Sequence, residues 1–199
     1  MWLVIINPTS RGGKAKERGK RFVDYLAANN IEHQLYYTEA QNNEEAIQGI
    51  IADFNIKHIS ILGGDGTINM VVNALPHLDF TLHLVPAGTG NDLAKMLYAG
   101  YTEVSAFSLI SNSSGMKEID CWRCNEHLFC NGFGAGFDGA VAHSMFSKNY
   151  WLPTILKYWI EIFRLIVSYK STTVKVNNKP MPVFMIVAAN GKVYGGGFN

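Results

Sequence analysis

Short apolar runs alternate with segments of helical spacing over about the first hundred positions of the chain. Short runs of apolar or β-branched residues between turn residues are typical of strands, whereas apolar positions three and four apart predict helices with one buried face. Strands and helices that alternate in this way indicate an α/β fold, in which helices cover a parallel sheet. The predicted strands are Trp2 to Ile6, His33 to Tyr37, Ile59 to Leu62 and Thr81 to Val85.

A helix is predicted after each of these strands. Asn43 and Thr67 are expected to act as N-caps, because their side chains can accept a hydrogen bond from a free amide of the first turn. The predicted helices are one that ends near Asn29, one that follows Asn43 with Glu44 and Glu45 in its first turn and Phe54 on its apolar face, one from Ile68 to Leu75 and one from Leu93 to Tyr98.

The pattern changes at the polar, turn-rich segment Ser111 to Gly115, which predicts an α/β domain over residues 1–112 and a second domain over residues 113–199. The second domain is expected to be mostly β. Its predicted elements are a hairpin of Lys117 to Cys124 with His127 to Asn131, a helix from about Phe137 to Phe146, an apolar helix within Trp151 to Tyr169, and strands Thr172 to Val176 and Val183 to Ala189.

The segment Trp151 to Tyr169 is strongly apolar, but Lys157, Glu161 and Arg164 interrupt it. A transmembrane helix needs about 20 consecutive apolar residues, so this segment is not predicted to span a membrane. The three charged residues share one helical face and can pair. The wide apolar surface is expected to pack in the protein core, and contact with a membrane interface is the alternative.

Composition narrows the classes of function. Of the 199 residues, 48% are apolar and the formal net charge is +1, so an ordered core is expected. A near-neutral chain argues against nucleic acid as the main partner, because phosphate backbones require a basic face. The N-terminal apolar run meets Asn7 and Pro8 too early for a secretory signal.

Three cysteines, at positions 121, 124 and 130, indicate a reducing compartment, and a cytoplasmic location is expected. The C-x-x-C spacing of Cys121 and Cys124 has no second pair to complete a zinc site, so the cysteines are interpreted as ordinary strand residues. The G-x-G-x-G run from Gly132 to Gly136 does not complete a dinucleotide fingerprint, and close backbone packing is the favoured interpretation over dinucleotide binding.

Candidate chemistry lies in the loops that follow the predicted strands. Ligands bind at the carboxyl ends of parallel strands, and several of these loops carry glycine, hydroxyl or Asp residues. Glycine allows a sharp turn and a close approach of the backbone, and free amides at a helix start attract phosphate. Asp65 would repel phosphate unless Mg²⁺ or a ribose hydroxyl lies between them. The alternative is a tight strand-to-helix turn with a surface Asp.

Four ordered motifs then resemble a known family. They are Asn7-Pro8-x-Ser10, Gly63-Gly64-Asp65-Gly66-Thr67-x-Asn69, Pro86-x-Gly88-Thr89-x-Asn91-Asp92 and Asn190-Gly191-x-x-Tyr194-Gly195-Gly196-Gly197. The chain resembles the catalytic domain of the diacylglycerol kinase and sphingosine kinase family, in particular the soluble bacterial lipid kinases. The resemblance implies an α/β domain like that of NAD kinase and phosphofructokinase, followed by a β-rich domain that is incomplete here.

By this resemblance the chain would bind ATP and Mg²⁺ and transfer the γ-phosphoryl group to a lipid alcohol at a membrane surface, as a cytoplasmic protein peripheral to the membrane. Asp65 would be the catalytic residue and would hold Mg²⁺ through water, with Asp92 either in that network or a capping charge of the following helix. The implied ATP-binding residues are Asn7, Pro8, Thr9, Ser10, Arg11, Thr38, Gly63, Gly64, Asp65, Gly66, Thr67, Ile68, Asn69, Met70, Gly88, Thr89, Asn91 and Asp92.

The chain also departs from the family pattern. Met70 stands where Glu is usual and Ala74 where Gly is common, so nucleotide affinity or specificity is expected to change. The sequence stops before the Asp-Gly segment that supplies the expected general base, which predicts a fragment with little or no kinase activity. An interrupted β domain leaves an unpaired strand edge, and a homodimer is expected from it.

Two other functions stay open on the sequence alone. An NAD kinase or a sugar-phosphate kinase would share the Gly-Gly-Asp-Gly-Thr turn, although not the Asn-Pro-x-Ser opening. A non-catalytic module that binds nucleotide or lipid would also fit a chain without its general base.

Overall fold

The computed structural model describes residues 1–98, 100, 102–111, 115–147, 151–152 and 154–190. It divides into two compact units, one of residues 1–131 with Asn190 and one of Gly132–Ala189. The hairpin that the sequence-based division assigns to residues 113–199 lies in the first unit. A domain boundary at residue 112 stays a prediction, and its linker residues 112–114 lie outside the described residues.

A four-stranded parallel sheet forms the centre of the first unit, in the order β2-β1-β3-β4. Each strand agrees with its prediction to within one residue at either end. The strands are β1 (Trp2–Ile6), β2 (His33–Tyr37), β3 (His58–Gly63) and β4 (Thr81–Pro86). The α/β class predicted from the sequence is therefore confirmed.

Helices follow the strands as predicted, with one addition, α5, that the sequence pattern did not indicate. Asn43 is the first residue of α2 and not its N-cap, so that expectation is wrong. The helices of this unit are α1 (Lys14–Ala28), α2 (Asn43–Phe54), α3 (Asp65–Ala74), α4 (Asp92–Leu97) and α5 (Glu103–Ser108), and a short 3₁₀ turn, Leu109–Ser111, follows α5. The Glu103 carboxylate of α5 accepts hydrogen bonds from Arg18 and Arg21 of α1, which hold the pKa of Glu103 below its usual value.

Strands β1 and β3 are buried on both faces of the sheet, which explains why they read as continuous apolar runs, whereas the edge strand β2 is partly exposed. Side chains of β1 alternate between two core clusters: Leu3 and Ile5 pack on one face, and Val4 and Ile6 on the other. All four are fully buried. The first cluster includes the inner sides of α2 and α3, and the second includes α1 and α5.

The hairpin of β5 (Trp122–Cys124) and β6 (His127–Phe129) is antiparallel, as predicted. All three cysteines are free, and Cys130 Sγ lies 3.7 Å from the Sγ of Cys121. Burial raises the pKa of the Cys130 thiol to about 12, with a smaller contribution from Cys121. Among the described residues no group of three or more His, Cys, Asp or Glu could hold a metal ion.

The second unit combines two helices with short antiparallel strand pairs, β8 with β9 and β7 with β10. Gly136 has a φ of 80°, and a Cβ there would lie 2.7 Å from the Phe184 carbonyl oxygen, so this glycine packs closely as predicted. The elements are β7 (Gly132–Gly136), α6 (Phe137–Ser147), α7 (Thr154–Ser168), β8 (Thr172–Val176), β9 (Lys179–Val183) and β10 (Met185–Ala189).

Strand β9 differs from the prediction. It contains Pro180 and Pro182 and was not among the predicted strands, whereas Asn177 and Asn178 were expected to form a turn between the strands Thr172 to Val176 and Val183 to Ala189. Both asparagines do have a positive φ, but the turn joins β8 to β9. Proline is tolerated in a strand that needs no ladder hydrogen bond on one side. In the described part of the chain, no helix is long and apolar enough to cross a membrane.

Candidate functional site

Three loops meet at the carboxyl edge of the parallel sheet. Ile6 of β1 lies beside Leu62 of β3, and Leu62 lies beside Val85 of β4, so these strands end at the same level. The loops that follow them contain most of the residues predicted to bind phosphate. The geometry therefore brings the Asn7, Gly64 and Gly88 loops together, as the sequence indicated.

The β3 and β4 loops touch through glycine backbone. A Cβ added at Gly64 would lie 2.9 Å from the Cα of Gly88, and one added at Gly88 would overlap the Cα of Gly64. Only residues without a side chain can approach this closely. The Asn91 side chain closes the β4 loop, because its Oδ1 accepts from the Gly88 N–H at 2.7 Å and its Nδ2 donates to the Gly88 carbonyl at 2.9 Å.

Asp65 reaches from the β3 loop to the start of α4. Its Oδ1 accepts a hydrogen bond from the backbone N–H of Leu93 at 3.3 Å. A Cβ added at Gly90 would lie 3.0 Å from Asp65 Oδ2 and 3.6 Å from Asp92 Oδ1, so one glycine separates two carboxylates. Asp92 is 7% exposed, and Lys95 Nζ lies 3.7 Å from its Oδ1.

Asn7 connects the β1 loop to helix α3. Its Nδ2 donates to Thr67 Oγ1 at 2.9 Å, and its Oδ1 accepts from the backbone N–H and the hydroxyl of Thr9 at 3.1 and 2.9 Å. Thr67 was expected to be an N-cap, and this expectation is wrong. Helix α3 begins at Asp65 after Gly64, so Thr67 lies in the first turn, buried against β1.

Thr38 lies at the same edge, where its backbone N–H donates to the carbonyl of Ile6 at 2.9 Å and extends the β1–β2 pairing. Arg11 is exposed and has a left-handed φ of 53° in the loop before α1. A cavity of about 760 Å³ borders this loop. Its lining includes Pro8, Lys16, Glu17 and Lys20, so two cations and one carboxylate of α1 lie near the predicted phosphate loops.

Three residues of the predicted set point elsewhere. Ile68 is 5% exposed and belongs to the core, and Met70 packs against the same cluster. Asn69 Nδ2 donates to the Leu128 carbonyl at 2.9 Å, and Asn73 binds both the N–H and the carbonyl of Leu128. These contacts attach α3 to the β5–β6 hairpin.

Sequence reasoning missed two residues of this edge, Gly90 and Lys95. Gly90 leaves the space between Asp65 and Asp92, and Lys95 lies three residues after Asp92, a spacing that predicts contact on a helix. A larger cavity of about 1440 Å³ lies away from these loops. Its lining includes the first residues of three strands, Trp2, His58 and Thr81, and it shares only Ile68 with the predicted set.

Apart from Asn190, the motif that begins at this residue (residues 191–197) lies outside the described residues. Asn190 itself is described: its Nδ2 donates to the carbonyls of Asp120 and Cys130, at 2.7 and 2.9 Å. Its backbone N–H donates to the Asn131 carbonyl. Asn190 therefore fixes the backbone on both sides of the hairpin.

Fold and loops together define an α/β domain with glycine-rich loops at the carboxyl edge of its parallel sheet. Residues 1–124 match the family model described as "Diacylglycerol kinase catalytic domain", and the chain belongs to this family. The match favours the lipid kinase interpretation over an NAD kinase or a sugar-phosphate kinase.

Curated relatives and solved structures agree with this assignment. The chain is 27% identical to a diacylglycerol kinase of Bacillus subtilis over 177 residues, which cover 87% of this chain and 58% of the relative. It is 28% identical to human diacylglycerol kinase zeta over 128 residues, 60% of this chain and 13% of the relative. A diacylglycerol kinase crystal structure from Bacillus anthracis has the same fold, with a TM-score of 0.65 and 20% identity over 98% of this chain and 66% of that one. The chain thus spans about half the length of several curated bacterial relatives.

Proposed function

We propose that this chain binds ATP with Mg²⁺ at the carboxyl edge of the β1–β4 sheet and serves the transfer of the γ-phosphoryl group to a lipid hydroxyl. The contact between Gly64 and Gly88 carries the proposal. It joins two glycine-rich loops and places Asp65 and Asp92 on either side of Gly90. Diacylglycerol, which the relatives' names contain, is the first acceptor to test.

The ATP phosphates would lie on the loops after β1, β3 and β4. Among the first amides of α3, those of Thr67 and Ile68 donate to the Gly64 carbonyl, whereas those of Asp65 and Gly66 lie ahead of them at the positive end of the helix dipole. Lys16 and Lys20 add positive charge beside the β1 loop. The predicted residues Asn7 to Arg11, Thr38, Gly63 to Met70, Gly88, Thr89, Asn91 and Asp92 are proposed as this site. Ile68, Asn69 and Met70 would contribute by fixing the position of α3 rather than by contact with ATP.

The carboxylates fit Mg²⁺. This ion prefers oxygen ligands and is usually held by one or two carboxylates together with water and substrate phosphates. Asp65 and Asp92 supply such a pair, and no larger acidic or histidine cluster exists among the described residues. When bound, Mg²⁺ would neutralise phosphate charge.

The protein's own contribution would be positioning and charge. Phosphoryl transfer needs little covalent help, so rigid loops that orient the donor account for most of the catalysis. Asn7 fixes the β1 loop against α3, and Asn91 fixes the β4 loop. Asp65 is proposed to hold the Mg²⁺ that accompanies the phosphates, while its Oδ1 also accepts the hydrogen bond from the first turn of α4.

Asp65→Asn is expected to weaken ATP–Mg²⁺ binding by about tenfold, a loss of about 1.4 kcal/mol. Asparagine keeps an oxygen for the Leu93 N–H but removes the negative charge that would attract the metal. Isothermal titration with ATP and Mg²⁺ measures the effect. Asp79→Asn, which changes an exposed loop carboxylate, is the matched control and should leave the affinity unchanged.

Equal affinity of the wild type and Asp65→Asn would remove Asp65 from the site. A separate assay with labelled ATP follows phosphate transfer to diacylglycerol and to NAD. Transfer to NAD alone would contradict the lipid kinase proposal.

A further inference from the structure

The side chains of Cys121 and Cys130 lie in contact at the base of the β5–β6 hairpin. Their Sγ atoms are 3.7 Å apart, and both cysteines are free. Trp122 pairs with Phe129, so the same register, continued by one residue, places Cys121 opposite Cys130. Opposite residues of antiparallel strands have Cα atoms about 4.5 to 5.5 Å apart, and disulfides span Cα separations of about 4.4 to 6.8 Å. The two thiols can therefore be joined without a rearrangement of the hairpin.

Small molecules can reach this pair from the larger of the two cavities. That cavity has a volume of about 1440 Å³, and both cysteines belong to its lining. Cys130 is 8% exposed, whereas Cys121 is partly exposed. A small polar oxidant that enters the cavity would therefore meet the Cys121 sulfur first.

Hydrogen bonding also gives the two thiols different roles. The S–H of Cys130 donates to the Sγ of Cys121. Burial raises the pKa of the Cys130 thiol to about 12, so this thiol keeps its proton at neutral pH. The thiolate is the reactive form of cysteine, and reactive cysteines are partly exposed. Cys121 is therefore the thiol that meets the oxidant, and Cys130 is placed to react with it afterwards.

We propose that Cys121 and Cys130 form a reversible disulfide when the protein meets hydrogen peroxide. The Cys121 thiolate would attack the O–O bond, which gives a sulfenic acid and a hydroxide that takes up the proton lost from the Cys121 thiol. The Cys130 sulfur would then attack the Cys121 sulfur. The S–S bond forms, the S–O bond breaks, and the leaving hydroxide takes the Cys130 proton to become water. The two thiols are oxidised by one electron each, and the peroxide accepts both electrons.

The backbone on both sides of the pair is already fixed in the folded protein. The Asn190 side chain donates to the carbonyls of Asp120 and Cys130. Between the two cysteines, Leu128 binds the Asn73 side chain of α3 through both its N–H and its carbonyl. The disulfide is therefore expected to form within the native fold. Its formation uses neither ATP nor phosphoryl transfer, so it can be tested apart from the proposed function.

The test counts free thiols in the full chain after treatment with hydrogen peroxide, by alkylation and mass spectrometry. The wild type is expected to fall from three alkylated cysteines to one, and dithiothreitol should restore all three. Trypsin cleaves after Arg123, so the disulfide would join a peptide with Cys121 to a peptide with Cys130. Cys124→Ser is the matched control, because Cys124 lies in the same hairpin, is partly exposed and pairs with His127.

Cys124→Ser should form the same disulfide as the wild type, whereas Cys121→Ser should form none within one chain. Unfolding in concentrated urea should abolish the preference for the pair of Cys121 and Cys130. A disulfide that needs Cys124, one that joins only separate chains, retention of all three thiols, or the same preference in urea would overturn the proposal. Circular dichroism checks folding, and Cys121→Ala replaces Cys121→Ser if that variant unfolds.

Discussion

Gly88→Ala is expected to lower the free energy of unfolding by about 2 to 3 kcal/mol and to remove measurable ATP binding. The new Cβ would overlap the Cα of Gly64, and backbone atoms cannot rotate away as a side chain end can. Forcing extra volume into a packed contact costs about 1 to 3 kcal/mol. Any shift that relieves the overlap separates the two loops that flank Asp65, so the proposed phosphate site opens with it.

Gly49→Ala is the matched control for this prediction. Gly49 lies in α2, outside the proposed site, and a Cβ there would meet nothing within 4 Å. Because alanine is the better helix former, this variant should be as stable as the wild type or more stable by up to about 1 kcal/mol. Urea unfolding gives the stabilities and titration with ATP the affinities. Equal stability of Gly88→Ala and Gly49→Ala would show that the two loops are not in contact.

The centre of the sheet could be predicted from the sequence because strands β1 and β3 are buried on both faces. A strand of this kind reads as a continuous apolar run, and Ile59 to Leu62 needed only one more residue at each end to give β3. The register of parallel strands then fixes where their carboxyl ends meet. For this reason the convergence of the Asn7, Gly64 and Gly88 loops followed from local patterns alone.

Contacts between distant residues could not be predicted in the same way. Thr67 is a residue type that commonly forms an N-cap. Its hydroxyl instead accepts a hydrogen bond from the side chain of Asn7, which lies sixty positions away in the sequence. Asp65 accepts a hydrogen bond from the N–H of Leu93 in α4 rather than from an amide of its own helix. The sequence of the β3 loop does not indicate this contact. Both hydrogen bonds join residues that lie far apart in the chain, so local sequence patterns do not indicate them.

The orientation of helix α7 could not be predicted from the sequence either. Its period predicts an apolar stripe, but the same stripe fits a buried core or an outer surface. Core packing was expected, and within the described residues it is wrong for Phe163 and Val167, which are 66% and 89% exposed. The buried pair of Glu161 and Ser144 decides between the two, and their seventeen-residue separation carries no sequence signal. Tertiary hydrogen bonding of one charged residue therefore sets the orientation that the apolar residues alone left open.

His83 is expected to make the protein unfold more easily as the pH falls from 7 to 4. The ring is 4% exposed, its Nε2 donates to the Ala106 carbonyl at 2.7 Å, and its Nδ1 accepts from the Ser60 hydroxyl at 2.8 Å. These bonds require the neutral tautomer with its proton on Nε2, because a carbonyl can only accept. Burial lowers the pKa of His83 from 6.5 to about 4, although the Ala106 bond opposes this shift.

The sign follows from proton binding in the two states. Above pH 6.5 the ring is neutral in both, and His83 adds no pH dependence. Between pH 6.5 and 4 the unfolded chain takes up a proton that the folded protein does not, so the free energy of unfolding should fall by about 3 kcal/mol. Below about pH 4 both states are protonated and the loss is complete. Glu103, whose pKa is lowered by Arg21, loses its contribution only below the usual carboxyl range.

His83→Gln should remove this slope between pH 7 and 4, whatever its stability at pH 7, because glutamine does not titrate. His77→Gln changes an exposed loop histidine and should keep the wild-type slope. Urea unfolding at pH 7, 6, 5 and 4 gives the free energies for the three proteins. If His83→Gln and the wild type lose stability in parallel over this range, the ring is not held neutral and the Ser60–His83–Ala106 arrangement is not the acid-sensitive element of the core.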